Sequence, residues 1–381
     1  MLTILKWVLL VFFLHSEIAE TFGMKRGNFL KVFTVINFPN QACNTTVTNR
    51  TGVCYTLPEC RSRKGIPLGS CAGGFGVCCL FEISCEETSS NNGTYLTSPD
   101  YPSFYDQERT CAITIRKLNS NICQIRLDFN VFQLRPPFEG SCSLDRLVVS
   151  GQSQNSIIPP ICGTNNGQHL YIGISGTEGS IMINVITLGS HQRKFDIKIS
   201  QISCTDVDRV PSNCLQYYTG IQGNIKSFNY NFDPRFDQIQ GNQPFETVEN
   251  GYFNNLDYAI CFRKELGFCS ITFTVANSTV STTGNNVPSP SFAIRQGDGS
   301  SPVQGMAQAG PTECQSDYLI LANIRFCGGR LNPDLTGSPN VNADVVDVTS
   351  GPFIARFVTD RKYNERGFDL NYRQNPCTVA G

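Results

Sequence analysis

The chain has 381 residues, with 30 basic and 31 acidic side chains, so its formal net charge at pH 7 is only −1. This balance gives no reason to expect nucleic acid or an anionic membrane surface as a partner. Its 18 cysteines indicate a disulfide framework, which excludes the reducing cytosol because disulfides persist only in oxidising compartments.

The N-terminal segment predicts a secretory signal peptide over residues 1–19. Lys6 lies just before the apolar run 7–14, which is too short to span a bilayer. Cleavage after Ala19 and cleavage after Ser16 both remain open. No later stretch approaches 18 consecutive apolar residues, so no membrane span is predicted.

Residues 20–42 form an N-terminal arm. Within it, Lys25-Arg26 is either a processing site or an ordinary charged pair. The stretch Phe29–Pro39 is strongly β-forming and is expected to add an edge strand to a neighbouring module or to remain a sticky edge.

The cysteines fall into three consecutive sets of six, and each even set predicts three internal disulfides. The first set crowds into 37 residues, whose core is too small to hold without such staples. The sets are Cys43, Cys54, Cys60, Cys71, Cys78 and Cys79; Cys85, Cys111, Cys123, Cys142, Cys162 and Cys204; and Cys214, Cys261, Cys269, Cys314, Cys327 and Cys377.

Two features of the first set invite a functional interpretation. The basic cluster Arg61-Ser-Arg-Lys64 is either a solvated loop, a protease-sensitive loop or a site for a sulfated glycan or acidic partner. The tract Gly73-Gly-Phe-Gly76 lies between cysteines and lacks the strand–helix frame of a phosphate loop, so turn glycines explain it better.

Alternation of apolar and polar residues dominates the rest of the chain and predicts an all-β protein. It is clearest in residues 124–132, 195–199, 271–275 and 368–372. Short half-buried strands of this kind are typical of antiparallel sandwiches.

The second and third cysteine sets are also a repeat of each other. Cys142–Val149 aligns with Cys314–Leu321, and Phe195–Cys204 aligns with Phe368–Cys377. The extra length of the later copy lies in residues 233–250 and 281–313, which are rich in Gly, Pro, Asn, Gln and Ser. We therefore predict surface-loop insertions there, and both stretches are the expected variable recognition surface.

These residues resemble the CUB domain, an extracellular jelly-roll sandwich of two antiparallel sheets. The first copy, 85–204, carries the opening tract Gly93-Thr-Tyr-Leu-Thr-Ser-Pro-Asp-Tyr-Pro102, and the second copy, 214–377, is divergent. The first cysteine set, 43–80, resembles an arthropod clip domain. The combination resembles secreted arthropod proteins.

The two resemblances imply the disulfide pairing. A third bridge in each sandwich departs from most CUB domains, although both copies share it. The implied pairs are Cys43–Cys78, Cys54–Cys71, Cys60–Cys79, Cys85–Cys111, Cys142–Cys162, Cys123–Cys204, Cys214–Cys261, Cys314–Cys327 and Cys269–Cys377.

Many CUB domains hold one Ca²⁺ with three carboxylates, because a hard cation needs several oxygen ligands. The resemblance makes Asp145, Asp317 and Asp360 weak candidates for such ligands. Each copy lacks a carboxylate of the set, so no metal site is assigned. The alternative is that Asp145 and Asp317 accept hydrogen bonds from a loop.

No enzyme is predicted. His169 and His191 belong to no metalloprotease or serine hydrolase motif, and the protease domain that usually follows a clip module has no counterpart. Four sequons predict surface positions in the secretory pathway: Asn44, Asn49, Asn92 and Asn277.

The sequence therefore predicts a secreted, extracellular, non-catalytic binding protein without cofactor, acting through CUB domains on a protein or glycan ligand. Two alternatives remain open. One is a regulator of an extracellular serine protease cascade, in which the clip-like module captures a protease. The other is a structural protein associated with cuticle or matrix.

Overall fold

A computed structural model describes residues 36–177, 179–207, 209–230, 251–276, 279–282, 285–288, 291–296, 306–333 and 341–377. From residue 40 onward, the described residues form one compact unit. The predicted signal peptide, Lys25-Arg26, Asn277 and the predicted insertion 233–250 lie outside the described residues, as does most of Phe29–Pro39.

The N-terminal disulfide-rich region (Cys43–Cys79) is a small sheet with one short helix. Thr56 caps the helix, since its side chain accepts a hydrogen bond from the Glu59 main-chain N–H at 3.3 Å. The elements are β1 (Ala42–Asn44), β2 (Thr51–Tyr55), α1 (Leu57–Ser62), β3 (Ile66–Cys71), a 3-10 turn (Ala72–Gly74) and β4 (Gly76–Ile83).

The first sandwich consists of two sheets with a shared apolar core. The sequence alternation along its longest strand, β8, buries Ile125, Leu127 and Phe129, as expected of a strand with one dry face. The strands are β5 (Thr88–Ser89), β6 (Thr94–Thr97), β7 (Arg109–Ile115), β8 (Ile122–Gln133), β9 (Arg146–Ser150), β10 (His169–Gly173), β11 (Ile181–Thr187) and β12 (Lys194–Ser203).

The N-terminal region is continuous with this sandwich. One sheet has the order β1-β2-β4-β6-β12-β8-β10 with β3 on β4, and the other has the order β5-β7-β11-β9. Strand β4 pairs in parallel with β6, with Phe81 opposite Thr94. Arg50 also forms an ion pair with the buried Asp196 at 3.1 Å. The region therefore shares a sheet with the first sandwich, although its disulfides are its own.

The second sandwich repeats this plan with sheets β13-β15-β24-β21-β22-β20 and β14-β25-β16-β23, and β19 pairs with β25. Strands β17 and β18 form a separate hairpin. The strands are β13 (Cys214–Tyr218), β14 (Gln222–Lys226), β15 (Asp257–Phe262), β16 (Phe268–Val275), β17 (Thr279–Thr282), β18 (Asn285–Pro288), β19 (Phe292–Ala293), β20 (Ala307–Ala309), β21 (Tyr318–Leu321), β22 (Ile324–Gly328), β23 (Val345–Asp347), β24 (Phe353–Val358) and β25 (Gly367–Pro376).

The prediction that residues 281–313 are only a surface loop is wrong. Phe292 and Ile294 are buried in the core, and Ala307 is buried at the sheet edge. Strand β19 pairs with β25, and β20 pairs with β22. The composition of this stretch is that of turns, which concealed two strands of two and three residues.

All nine disulfides of the structure stay within one cysteine set, and no described cysteine is free. The pairs are the ones that the resemblances imply: Cys43–Cys78, Cys54–Cys71, Cys60–Cys79, Cys85–Cys111, Cys123–Cys204, Cys142–Cys162, Cys214–Cys261, Cys269–Cys377 and Cys314–Cys327.

The two sandwiches contact each other directly through buried amides. Gln216 donates to the Gln168 side-chain oxygen at 3.1 Å, and Gln168 donates to the Ser227 carbonyl at 3.1 Å. The Asn229 N–H donates to Asn165 Oδ1 at 2.7 Å, and all four polar side chains are largely buried. Because a buried amide left unpaired costs about 1–3 kcal/mol, this network opposes separation of the sandwiches.

Candidate functional site

The best candidate for a functional site from sequence is the aspartate of the Cys-x-x-Asp segment in each sandwich. Asp145 lies immediately before β9, and Asp317 lies immediately before β21. Both residues are 1% exposed. The same loop position therefore buries an acidic side chain twice, and each carboxyl needs partners because an unpaired buried charge is costly.

In the first sandwich an arginine neutralises the aspartate. Arg193 Nε donates to Asp145 Oδ2 at 2.6 Å, and its Nη2 donates to Oδ1 at 2.9 Å. The main-chain N–H groups of Arg135 and Leu188 donate to the same carboxylate at 2.9 and 3.1 Å. Neither charged side chain is accessible to solvent. This bidentate, fully hydrogen-bonded pair has the geometry that arginine and carboxylate favour.

Arg193 also holds the surrounding loops. Its guanidinium donates to the main-chain oxygens of Asp106, Leu188, Gly189 and His191 at 2.8–3.2 Å. The positive charge that a cation would bring is therefore already supplied by a side chain. The calcium candidate at Asp145 does not fit a metal ion, and the alternative of a loop hydrogen-bond acceptor describes it.

In the second sandwich the aspartate has hydrogen bonds but no ion pair. Tyr252 Oη donates to Asp317 Oδ2 at 2.6 Å, and the Asp360 N–H donates to Oδ1 at 2.6 Å. Arg366 stands two residues before Phe368, as Arg193 stands before Phe195, and it is also buried. Among the residues that the structure describes, however, no basic group lies within ion-pairing distance of Asp317.

Burial has a clear electrostatic consequence for Asp317. Desolvation raises the pKa of its carboxyl to about 7, and the hydrogen bonds from Tyr252 and Asp360, together with the positive charge of Arg295, only partly oppose this. Desolvation, followed by the neighbouring Asp317, raises the pKa of Tyr252 well above its usual value. Near neutral pH the Asp317 carboxyl is thus divided between its neutral and charged forms.

The calcium candidates Asp317 and Asp360 do not fit a metal site either. Asp360 faces Asp317 with its main-chain N–H, whereas its own Oδ1 accepts from the Lys362 N–H at 2.7 Å. Within the described part of the chain, no three His, Cys, Asp or Glu side chains are grouped to hold a metal ion. A hard cation needs several converging oxygens, which these two residues do not supply.

The histidines occupy structural positions. His169 is buried between the sandwiches, with Nε2 at 2.9 Å from the Tyr217 carbonyl and 3.1 Å from the Tyr217 N–H. Desolvation, followed by the charge of Arg126, lowers its pKa to about 4. Burial also lowers the pKa of His191. The main-chain oxygen of His191 accepts a hydrogen bond from Arg193.

The remaining sequence candidates lie apart. Asn44 and Asn49 are exposed, and Asn92 is half-buried with its side-chain oxygen accepting from the Gln201 N–H at 2.7 Å. In the basic cluster, Arg61 and Lys64 are exposed. Arg63 pairs with Glu59 at 3.1 Å and lies over the Tyr55 ring at 4.9 Å.

Sequence reasoning missed Arg193 and Tyr252, the two residues that define the aspartate sites. A signal for Arg193 exists, because an arginine precedes the closing Phe-Asp strand by two residues in both copies. No comparable signal marks Tyr252.

Two family profiles match these two sandwiches. The CUB domain profile matches residues 85–199, and the Animal CUB domain profile matches residues 211–375. The chain contains two CUB domains. They are nearly all-β, and CUB domains are non-catalytic interaction modules, so no enzyme family is indicated.

Several solved structures are similar to this chain at low sequence identity. The CUB1-EGF-CUB2 domains of rat MASP-1 are 14% identical, with 77% of this chain and 99% of that chain covered and a TM-score of 0.26. The MASP-1 CUB2 domain bound to Ca²⁺ is 22% identical over 30% of this chain and 98% of that chain, with a TM-score of 0.26. The extracellular region of zebrafish Gpr126/Adgrg6 is 12% identical over 78% and 38%, with a TM-score of 0.27. At these TM-scores the likeness carries no argument about function.

No curated protein matches the sequence significantly. In the described residues, no helix has the length and apolar character needed to cross a membrane.

Proposed function

We propose that this chain is a secreted, extracellular, non-catalytic binding protein that uses its CUB domains as one continuous platform. The observation that carries the proposal is the direct packing of the two CUB domains through the buried network of Gln168, Gln216 and Asn229. A platform of fixed geometry presents the end loops of both domains to one partner without a large entropic cost on binding.

The hydrogen-bonding partners of the buried polar groups support a binding role rather than catalysis. Asp145 is committed to Arg193, and His169 is committed to the Tyr217 backbone. Groups held in this way stabilise loops and domain contacts, which leaves the exposed loops as the recognition surface. The N-terminal disulfide-rich region extends the first sheet of this platform.

The hairpin β17–β18 is the part of the predicted recognition stretch best suited to a test. Among the described residues, its two strands pair with each other and with no other strand, whereas β19 and β20 belong to the core sheets. Replacing Thr279–Pro288 by a short Gly-Ser turn in the full, tagged chain should leave secretion and the unfolding midpoint unchanged. Capture of a partner from extracellular fluid should fall at least tenfold.

The matched control is the double variant Arg61→Gln/Lys64→Gln, which changes two exposed side chains of the N-terminal region. It should capture the same partner as the unaltered chain. The protease-cascade regulator would replace the proposal under three conditions together. The captured partner would be a serine protease, the Arg61→Gln/Lys64→Gln variant would no longer capture it, and the variant without the hairpin would still capture it. If the chain stays in the insoluble matrix fraction and captures nothing, the structural alternative replaces it.

A further inference from the structure

The linker between the two CUB domains is anchored by a disulfide at each end. It consists of residues 205–213 and runs from Cys204 of the first domain to Cys214 of the second. Cys204 is bonded to Cys123 on β8, and Cys214 is bonded to Cys261 on β15. Because both ends start from fixed points on the sandwiches, only the chain between them could act as a hinge.

One side chain of this linker is buried. Among the described linker residues, Val210 is buried and the others are exposed. Val210 is 2% exposed and belongs to an apolar cluster with Tyr171 of the first domain and with Cys214 and Cys261 of the second. Val207 of the same linker is 92% exposed. Since burial of apolar surface is favourable, the linker is held at Val210, within a cluster that both domains share.

The backbone of Val210 is clamped by a single side chain of the first domain. Gln124 Nε2 donates to the Val210 carbonyl at 2.7 Å, and the Val210 N–H donates to Gln124 Oε1 at 2.9 Å. Both hydrogen bonds are buried. The glutamine amide thus satisfies the two main-chain groups that a neighbouring strand would satisfy in a sheet. Release of Val210 would leave both groups and the amide without these partners, which is costly in a buried place.

The third disulfide of the first domain lies beside this clamp. Cys123 directly precedes Gln124, and its partner Cys204 directly precedes the linker. The backbone of Gln124 is fixed in the sheet, since it pairs with Gly173 on β10 and with Ile202 on β12. The bridge therefore keeps the start of the linker next to the residue that clamps it.

The corresponding bridge of the second domain, Cys269–Cys377, lacks this arrangement. The residue that follows Cys269 is Ser270, whose hydroxyl accepts from Asn375 Nδ2 of the same domain at 3.0 Å. The two bridges thus differ in what lies next to them, and the second provides a matched control for the first.

We propose that residues 205–213 are a clamped strap that fixes the angle between the two CUB domains. Val210 is its anchor, Gln124 is the positioning residue that holds the anchor, and the Cys123–Cys204 bridge keeps strap and clamp together. The inference rests on the proposed function for its purpose, because a platform of fixed geometry needs a linker that does not bend.

The test follows cleavage of the full chain by trypsin at the bond between Arg209 and Val210. Arg209 is exposed, but the clamp buries the next residue, and a protease cuts only backbone that opens to it. Among the described residues no disulfide crosses the linker. A cut there therefore separates two fragments on a non-reducing gel, and Arg209→Gln should abolish it.

Gln124→Leu and Val210→Ser should each raise the rate of this cleavage at least tenfold. Cys123→Ser/Cys204→Ser should raise it at least threefold, because the clamp loses its support while the glutamine remains. In small-angle X-ray scattering, the radius of gyration of the uncleaved Gln124→Leu and Val210→Ser chains should exceed that of the unaltered chain, since the angle between the domains is no longer fixed.

Two control variants remove comparable groups away from the strap. Gln201 is also a buried glutamine of the first domain, and it accepts from the Leu118 N–H at 2.8 Å and donates to the Arg116 carbonyl at 3.1 Å. Gln201→Leu and Cys269→Ser/Cys377→Ser should lower the unfolding midpoint but leave the rate of linker cleavage within twofold and the radius of gyration unchanged.

Three results would overturn the inference. The cleavage rate of Gln124→Leu and Val210→Ser would stay within threefold of the unaltered chain, their radius of gyration would not change although cleavage is faster, or the control variants would be cut as fast as the strap variants. If any of these is found while the unaltered chain still captures its partner through the hairpin β17–β18, the strap is refuted and the proposed binding function stands.

Discussion

The two CUB domains place an aspartate at the same loop position and surround it with different partners. Asp145 forms an ion pair with Arg193, whereas Asp317 accepts hydrogen bonds from the Tyr252 hydroxyl and the Asp360 N–H and feels the charge of Arg295 without a described ion pair. Both carboxyls are equally buried. The difference teaches that position and burial do not fix the charge state of a side chain, because the partner's charge decides whether ionisation is tolerated.

The difference also separates two kinds of stability. Arg193 compensates the charge of Asp145 and donates to four main-chain oxygens around it, so the pair holds the loops of the first domain together. Tyr252 stabilises Asp317 without compensating its charge. The stability of the second domain should therefore depend on pH through Asp317.

The largest expected effect comes from breaking the first site. Asp145→Asn leaves the Arg193 guanidinium buried without a counter-ion, which typically costs about 3–5 kcal/mol. The free energy of unfolding from urea titration at pH 7 measures it. The control is Asp317→Asn at pH 5, where the native carboxyl is already neutral, and it should cost much less. Equal losses in the two variants would mean that the Arg193 pair contributes nothing beyond its hydrogen bonds.

The second prediction concerns the pH dependence of Asp317. Its pKa is raised by folding to about 7, so the folded state binds its proton more tightly than the unfolded state does. The contribution of Asp317 to the free energy of unfolding is fully present below the pKa that its carboxyl has in the unfolded chain. It is lost as the pH rises through the folded pKa of about 7. Between pH 5 and pH 8 the native chain should lose about 2–3 kcal/mol relative to Asp317→Asn.

Urea midpoints of both chains at half-unit intervals of pH measure this difference. The loss should begin near the unfolded pKa of the carboxyl, be steepest between about pH 4.5 and 6.5, and level off above the folded pKa of about 7. Parallel curves for the native chain and Asp317→Asn over the whole range would show that Asp317 stays charged in its buried position.

The third prediction tests the contact between the domains through His169, whose pKa folding lowers to about 4. The folded state disfavours the protonated imidazole. The contribution of His169 to the free energy of unfolding is therefore fully present above its unfolded pKa and is lost as the pH falls towards 4. From pH 7 to pH 4.5 the native chain should lose about 2 kcal/mol relative to His169→Gln, which retains an amide to face the Tyr217 backbone. Unfolding at each pH measures the difference. No relative change would place His169 in contact with solvent.

The fold could be predicted from the sequence because the patterns that mark it either lie within one short stretch or recur in both copies of the repeat. Alternation marked the strands around Ile125 and Ile197, and the repeat of Cys142–Val149 in Cys314–Leu321 indicated two similar sandwiches. Side-chain contacts between residues far apart in the sequence could not be predicted in this way. Arg193 reaches Asp145 across 48 positions of chain, and Tyr252 reaches Asp317 across 65.

The smallest expected effect separates the contribution of burial to the strength of an Arg–Asp pair from the contribution of its bidentate geometry. Arg356 and Asp257 form a bidentate pair at 2.6 and 2.7 Å, much like that of Arg193 and Asp145, but both side chains are more than half exposed. Water and salt screen such a pair, so Arg356→Ala and Asp257→Ala should each cost less than about 1 kcal/mol. A double-mutant cycle in urea at 0.05 and 0.5 M NaCl measures the coupling, which should shrink at the higher salt. A coupling as large as that of the buried pair would mean that the bidentate geometry, and not exclusion of water, gives the Asp145 site its strength.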